Sequence, residues 1–218
     1  MGNRLAGQTV LVLGGRHLGT AIAEAAAEEG AKVHVASHRP GGLQIDLRDE
    51  ATIAAAAAGL GPVDHLINTA AAPHAAPIRE LDRDKTVDAF TAKVIGPLLL
   101  AKHFTIRRSL LLFSGQVGWR PARGNVVTGV TNGAAAFAAQ HLAAELAPVR
   151  VNALSPGIID SGVWDGKGDA KPDFLANAAQ RTLVGRTGTV ADVTDTVLWM
   201  LQAEFLTGET IHLEGGRP

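Results

Sequence analysis

Three groups of residues in this sequence have types and spacings suited to chemistry. The first is the run "GGRHLG", Gly14, Gly15, Arg16, His17, Leu18 and Gly19, set between a β-branched apolar stretch and an Ala-rich one. Glycines there permit a tight turn and let a phosphate approach backbone N–H groups, while a following helix N-terminus adds positive partial charge. The second is Lys93 in "AFTAKVIGPLLLAK", whose neighbours Ala92, Val94 and Ile95 are apolar. Such company disfavours an exposed lysine, and burial would draw its pKa down towards the range useful for proton transfer; the alternative is a lysine on a solvent face of the helix. The third is a set of polar side chains that follow apolar runs: Ser114 closing "SLLLFS", His74 in "AAAPHAAPIRE", and Trp119, Arg120 and Arg123 further on. Around a pocket mouth Trp119, Arg120 and Arg123 would recognise an anionic or aromatic small molecule, although loop statistics favour plain surface residues there and at His74.

What is missing narrows the chemistry as much. The chain has no Cys, which removes thiol catalysis, disulfides and Cys-based zinc sites, and no Tyr, which removes the phenol as a proton donor. Its eight His fall in no spacing with carboxylates that suits a metal ion, so no metal site is expected. A net charge of -1 without a basic block argues against nucleic acid as a partner. No apolar run approaches the ~18 residues needed to span a bilayer. The N-terminal "MGNRLAGQTVLVLGG" runs almost directly into a strand without a signal-peptide core, so a cytoplasmic location and no membrane partner are expected.

The elements that must position these residues are legible in outline. At 218 residues, with 46% hydrophobic and only 19% charged residues, the chain is read as a single folded domain over 1–218. Strands are predicted at residues 9–14, 32–37, 43–46, 63–70, 109–114, 149–155 and 209–214. Between them, helices are predicted at 18–30, 49–61, 82–103, 125–146 and 190–202, the third kinked at Gly96–Pro97. The polar, Gly-rich stretch 165–172, "DGKGDAKP", reads as a mobile loop or lid. Apolar strands alternating with helices imply an α/β fold with a doubly wound, mostly parallel sheet covered on both faces.

Several segments together resemble the short-chain dehydrogenase/reductase family: "VLVLGGRHLGTAIAEAAAEEGAKVHVAS", "LQIDLRDE", "VDHLINTAA", "ELAPVRVNALSPGIIDS" and "FLTGETIHLEGG". The resemblance covers nearly the whole chain and implies a single-domain, seven-stranded Rossmann fold binding NAD or NADP. It implies that Gly14 to Gly19 cradle the pyrophosphate, with His17 in place of a third glycine or the loop one residue short. Asn68 and Ala70 stand in "NTAA" where the family usually has Asn-Asn-Ala-Gly. Asp46 and Leu47 would meet the adenine ring. In "SPGIIDS", Pro156 and Gly157 match the Pro-Gly segment, and Ile159 and Ser161 would hold the nicotinamide carboxamide. NAD-users place an acid after the second strand for the ribose 2′-OH. Here Ser37, His38 and Arg39 fill that corner, with Arg16 nearby, and cations suit the 2′-phosphate of NADP, leaving NAD less favoured.

The resemblance also exposes what has changed at the catalytic end. The family carries a Tyr and, four residues on, a Lys in the helix that ends "LAAELAP"; counting back puts Thr128 and Asn132 at those places. Ser114 stands at the family's Ser, and Lys93 stands where the preceding long helix usually has an Asn. The lysine and the asparagine have therefore changed places between two positions expected to share one pocket. An aliphatic hydroxyl such as that of Thr128 is too weak an acid to replace a phenol near neutral pH. The implied function is an atypical NADP-dependent oxidoreductase that passes hydride to a carbonyl, imine or conjugated enone of a small molecule. The rivals are a non-catalytic dinucleotide-binding sensor or partner subunit, and a non-redox isomerase or cyclase. A homodimer or homotetramer is expected, as in the family, packed through the small-residue helix 133–146.

Overall fold

The structure, a computed structural model, describes residues 3–39 and 41–216. Strand β1 (Thr9–Leu13) leads through the glycine loop into helix α1 (Leu18–Glu28), and β2 (Lys32–Ser37) and the short β3 (Leu43–Gln44) follow. Helix α2 (Glu50–Leu60), β4 (Val63–Asn68), α3 (Arg83–Phe90), α4 (Gly96–His103), β5 (Ile106–Phe113) and α5 (Val126–Glu145) come next. The chain closes with β6 (Arg150–Pro156), β7 (Ile159–Asp160), α6 (Lys171–Ala179), β8 (Gly188–Thr189), α7 (Val190–Gln202) and β9 (Thr210–Leu213). The main sheet has seven strands in the order β3-β2-β1-β4-β5-β6-β9, every pair parallel, and β7 and β8 form a separate two-stranded ladder.

The period of two in β1 decides which face each residue serves. Leu11 and Leu13 point into one buried cluster with Ile53 of α2, Leu100 of α4 and Ala136 and Ala139 of α5. Val10 and Val12 point into the other, with Ile22 and Ala26 of α1 and Val197 and Leu201 of α7. Both sheet faces are thus sealed by helices, which leaves the carboxyl ends of the strands as the open edge of the molecule.

Three local features depart from the sequence reading. The irregularity in the long helix is not a kink at Gly96–Pro97 but a π turn at Thr91–Ile95. The Gly96 N–H reaches back five residues to the Thr91 carbonyl, and Pro97, having no N–H, cannot bond the Lys93 carbonyl as an α-helix requires. The stretch 165–172 is a 3-10 turn (Asp165–Ala170) running into α6, rather than an irregular loop. Lys171 ties it down, bonding Asp160 at 2.8 Å and Asp165 at 2.7 Å. Helix α6 itself was hidden by the flanking polar residues, although Pro172 sits in the first turn, where its missing N–H costs nothing.

Candidate functional site

The glycine loop is built around two close approaches. A side chain at Gly14 would collide with the Thr69 hydroxyl, and one at Gly19 with the Gly14 carbonyl, so both positions exclude a Cβ. Thr69 is fixed there because its hydroxyl donates to the Leu13 carbonyl at 2.8 Å. That residue was missed from the sequence; its only signal was lying next to Asn68 at the end of a fully buried strand. His17 has φ 49 and ψ -117, a left-handed backbone suited to glycine, and is the sole non-glycine residue of that kind among the described residues. The loop backbone therefore keeps the glycine shape, while the imidazole turns across the opening and its Nδ1 lies 3.1 Å from the Ser161 carbonyl. The bond requires the proton on Nδ1.

Around that loop the other predicted cofactor residues gather at the strand ends. Gly14 N–H donates to the Ala36 carbonyl at 2.9 Å, which brings the end of β2 beside the loop. Ser37, His38 and Arg39 turn there, Arg39 N–H donating to the Ser37 hydroxyl at 3.3 Å. Arg16, His38 and Arg39 are exposed, and neither arginine has an ion-pair partner among the described residues. Asp46 is engaged by its own chain: Arg48 Nε and a terminal nitrogen lie 3.0 and 2.9 Å from its two oxygens and hold its pKa below the usual carboxylate value. The Leu47 side chain is buried against Gly96. Asn68 is buried, and its side-chain oxygen accepts from Ala70 N–H at 3.1 Å to shape the turn after β4. Gly157 packs too tightly on Glu214 to carry a Cβ, following Pro156 at the end of β6. Ile159 is buried on β7, and Ser161 closes the segment opposite the glycine loop.

The four candidates of the catalytic end meet where β5, the π turn and α5 converge. Lys93 is half-buried, and its Nζ donates to the Phe113 carbonyl at 2.6 Å and the Ser114 carbonyl at 3.3 Å. Desolvation lowers its pKa to about 8, with no carboxylate among the described residues opposing that shift. Ser114 is buried, and its hydroxyl donates to the Asn132 carbonyl at 2.8 Å. Gly115 matters for the same contact, because a Cβ there would sit 2.8 Å from the Asn132 side-chain nitrogen. Lys93, Ser114 and Asn132 thus form one connected group, bridged by the carbonyls at the end of β5. Thr128 lies one helical turn before Asn132, and its hydroxyl donates to the His74 carbonyl at 3.1 Å. An ammonium has three protons, and two of Lys93's are spoken for; one is left to donate.

Of the remaining polar candidates, His74 is not a surface residue. It is buried, and its Nε2 accepts the Asp82 N–H at 3.2 Å, clasping the start of α3. Trp119 packs edge-on against His212 with ring centroids 4.8 Å apart, and Arg120 reaches Glu214 at 3.5 Å. Both therefore cover the β9 end. Among the described residues there is no group of three His, Asp or Glu side chains placed to hold a metal ion, and no helix is long and apolar enough to cross a membrane.

A doubly wound parallel sheet with a glycine loop after β1 and polar groups converging at the strand ends defines a dinucleotide-binding Rossmann protein. A family model described as Enoyl-(Acyl carrier protein) reductase matches residues 14–217. The chain belongs to the short-chain dehydrogenase/reductase family. It is similar to the short-chain dehydrogenase/reductase ATR9 of Stachybotrys chlorohalonatus, at 28% identity over 96% of each chain. It is also similar to the L-xylulose reductase of Bos taurus, at 28% identity over 98% of this chain and 97% of that one. A solved small-chain dehydrogenase in complex with NADPH superposes with a TM-score of 0.87 and 29% identity, over 96% of this chain and 97% of that one.

Proposed function

We propose that this chain is an atypical NADP-dependent oxidoreductase, reducing a carbonyl, imine or conjugated enone of a small molecule without a tyrosine acid. The observation that carries the reading is Lys93, an ammonium brought to the strand ends on a π turn and joined through Ser114 to Asn132. The cradle at Gly14 and Gly19, which a Cβ would fill, fits a pyrophosphate, and NADPH bound there would supply the hydride. Backbone N–H groups of Gly15 to Leu18 would hold the phosphates, and Arg16, His38 and Arg39 the 2′-phosphate. Asp46, Leu47, Asn68 and Ala70 would flank the adenine side, and Pro156, Gly157, Ile159 and Ser161 the nicotinamide side.

The chain's own groups divide the remaining work. Lys93 turns its uncommitted proton to the substrate heteroatom or to the nicotinamide ribose, stabilising charge that develops there. Asn132 offers an amide N–H, and Thr128, whose proton is directed at His74, accepts a hydrogen bond and orients the substrate. Loss of a dedicated acid costs roughly 10²–10⁴ in rate. Holding the reacting groups in contact still contributes on the order of 7–11 kcal/mol. Calorimetric comparison of NADPH with NADH, followed by a panel of carbonyl, imine and enone compounds read at the nicotinamide absorbance, tests the reading. Equal affinities, or no consumption of NADPH with any of them, would oppose it.

One observation favours a second reading, a dinucleotide-binding sensor or partner subunit: the His17 side chain bridges the opening that a pyrophosphate must enter. Tight NADPH binding with no turnover would select it. For either reading a homodimer or homotetramer is proposed. The outer face of α5 forms an open apolar groove of about 690 Å³ that includes Gly129, Val130, Gly133 and Phe137, and Phe137 is 62% exposed. A knob beside a glycine-lined groove is self-complementary under two-fold symmetry. Light scattering at micromolar concentration checks it, and a monomer refutes it.

A further inference from the structure

Of the six lysines in the chain, five stand in ordinary surroundings. Lys32, Lys85, Lys102 and Lys167 are exposed, and carboxylates pair with two of the five, Glu50 with Lys102 at 2.6 Å and Asp160 and Asp165 with Lys171 at 2.8 and 2.7 Å. Lys93 is placed differently. Its Nζ rests on the Phe113 and Ser114 carbonyls, at 2.6 and 3.3 Å, and no carboxylate among the described residues bonds it. Desolvation without a counter-charge favours the neutral amine, in keeping with the pKa of about 8. A desolvated lysine amine is a nucleophile towards carbonyl carbon.

The seat on β5 decides how that nitrogen presents itself. In the neutral amine two N–H bonds point to the two carbonyls, so the lone pair takes the remaining corner, the one the third proton of the ammonium would hold. The same seat suits the product of attack on an aldehyde. The lone pair forms the C–N bond, the C=O π pair moves to oxygen, and the oxygen leaves as water with one proton from Nζ and one from solvent. The protonated imine keeps one N–H for the Phe113 carbonyl, and its positive charge replaces that of the ammonium. We infer that Lys93 is a covalent site for a conjugated aldehyde, which it holds as a protonated imine. Conjugation matters because of the next step, which rests on the NADP-dependent reading above. Hydride added at the β-carbon turns the cationic imine into a neutral enamine, so no alkoxide forms and no phenol is needed to protonate one. Solvent then protonates the α-carbon, and water hydrolyses the imine to free Nζ and the saturated aldehyde. Hydride added at the imine carbon of a simple aldehyde would instead leave a secondary amine fixed on Lys93.

The test uses the full wild-type chain without NADPH, which separates it from the dinucleotide reading. The protein is incubated with cinnamaldehyde and sodium cyanoborohydride, and peptide mass mapping follows the cinnamyl group on each lysine and, separately, on the α-amine. At about pH 7.5 the neutral fraction of Lys93 exceeds that of a lysine at its ordinary value by on the order of a hundredfold. Lys93 should therefore be labelled at least about tenfold faster than any of the other five, and that lead should vanish in urea. In a second arm, NADPH with cinnamaldehyde should yield the saturated aldehyde. Labelling of Lys93 no faster than the others, or a lead that persists in urea, would overturn the inference, as would cinnamyl alcohol as the sole reduction product. Selective labelling of Lys93 with no consumption of NADPH would uphold the inference and count against the reductase reading instead.

Discussion

Replacing Lys93 with Met removes an ammonium and keeps most of the stem volume, so its consequences can be worked from the geometry. Burial lowers the folded-state pKa to about 8 from the ordinary 10.5. That difference corresponds to about 3 kcal/mol between the two protonation states, trimmed by whatever solvent reaches the half-buried side chain. The sign follows from which state holds the proton more tightly. Below pH 8 the folded protein carries the full penalty of a desolvated ammonium, and between pH 8 and 10.5 the unfolded chain holds the extra proton. As pH rises through that window the penalty disappears, and the wild type gains stability on the variant. At neutral pH the variant sheds the penalty but leaves the Phe113 and Ser114 carbonyls without this donor, at about 1–3 kcal/mol. The two effects nearly cancel there, so the pH dependence is the diagnostic quantity. Urea unfolding followed by circular dichroism at a series of pH values should show the wild-type and Lys93→Met curves diverging above pH 8. Once a turnover substrate is in hand, kcat should fall by at least ~10²-fold, and Thr128→Val should cost less. Parallel stability curves, with turnover and NADPH affinity untouched, would show that Lys93 is an ordinary helix residue.

Arg39→Ala should cut the preference for NADPH over NADH by about tenfold, the worth of one charge-assisted contact, as measured by calorimetry; equal loss for both cofactors would remove the 2′-phosphate assignment. His17→Gly should bind NADPH about fivefold more tightly, since it releases the bond to Ser161 and suits the φ of 49 with a residue that adopts it freely. Weaker binding would instead make the imidazole a phosphate contact. His65 is fully buried between Ser109 and Gln8, each 2.7 Å away, and desolvation lowers its pKa to about 4 from 6.5. The unfolded chain therefore takes up the proton first, and about 3 kcal/mol of stability present above pH 6.5 is lost as pH falls to 4. His65→Leu should flatten that acid limb in urea titrations, and an unchanged limb would reject the assignment.

The elements were legible in the sequence wherever local pattern and tertiary demand agree. Strand β2 at 32–37 and helix α7 at 190–202 were read with the observed limits; in the structure the latter opens on a capping box of Thr189 and Asp192 ahead of an apolar stripe. The π turn was not legible, because Gly96–Pro97 advertises a break without saying that the ladder slips upstream of it. At the site, the type and order of Lys93, Ser114, Thr128 and Asn132 were readable, but their bonding was not. That Lys93 rests on two β5 carbonyls, or that Thr128 serves the His74 carbonyl, depends on backbone oxygens that carry no sequence signature. Thr69 went unread for a related reason: it acquires its significance from an approach across more than fifty residues of chain.

The central claim, that hydride transfer survives without a tyrosine, is tested most directly by following the isotope. NADPH carrying deuterium at the transferable nicotinamide position is incubated with wild type and a carbonyl compound that consumes it, and the product is weighed by mass spectrometry. The account predicts one deuterium in the product with wild type and a product yield lowered by at least ~10²-fold with Lys93→Met. NADPH bound tightly but returned with its deuterium intact, across carbonyl, imine and enone compounds alike, would contradict it.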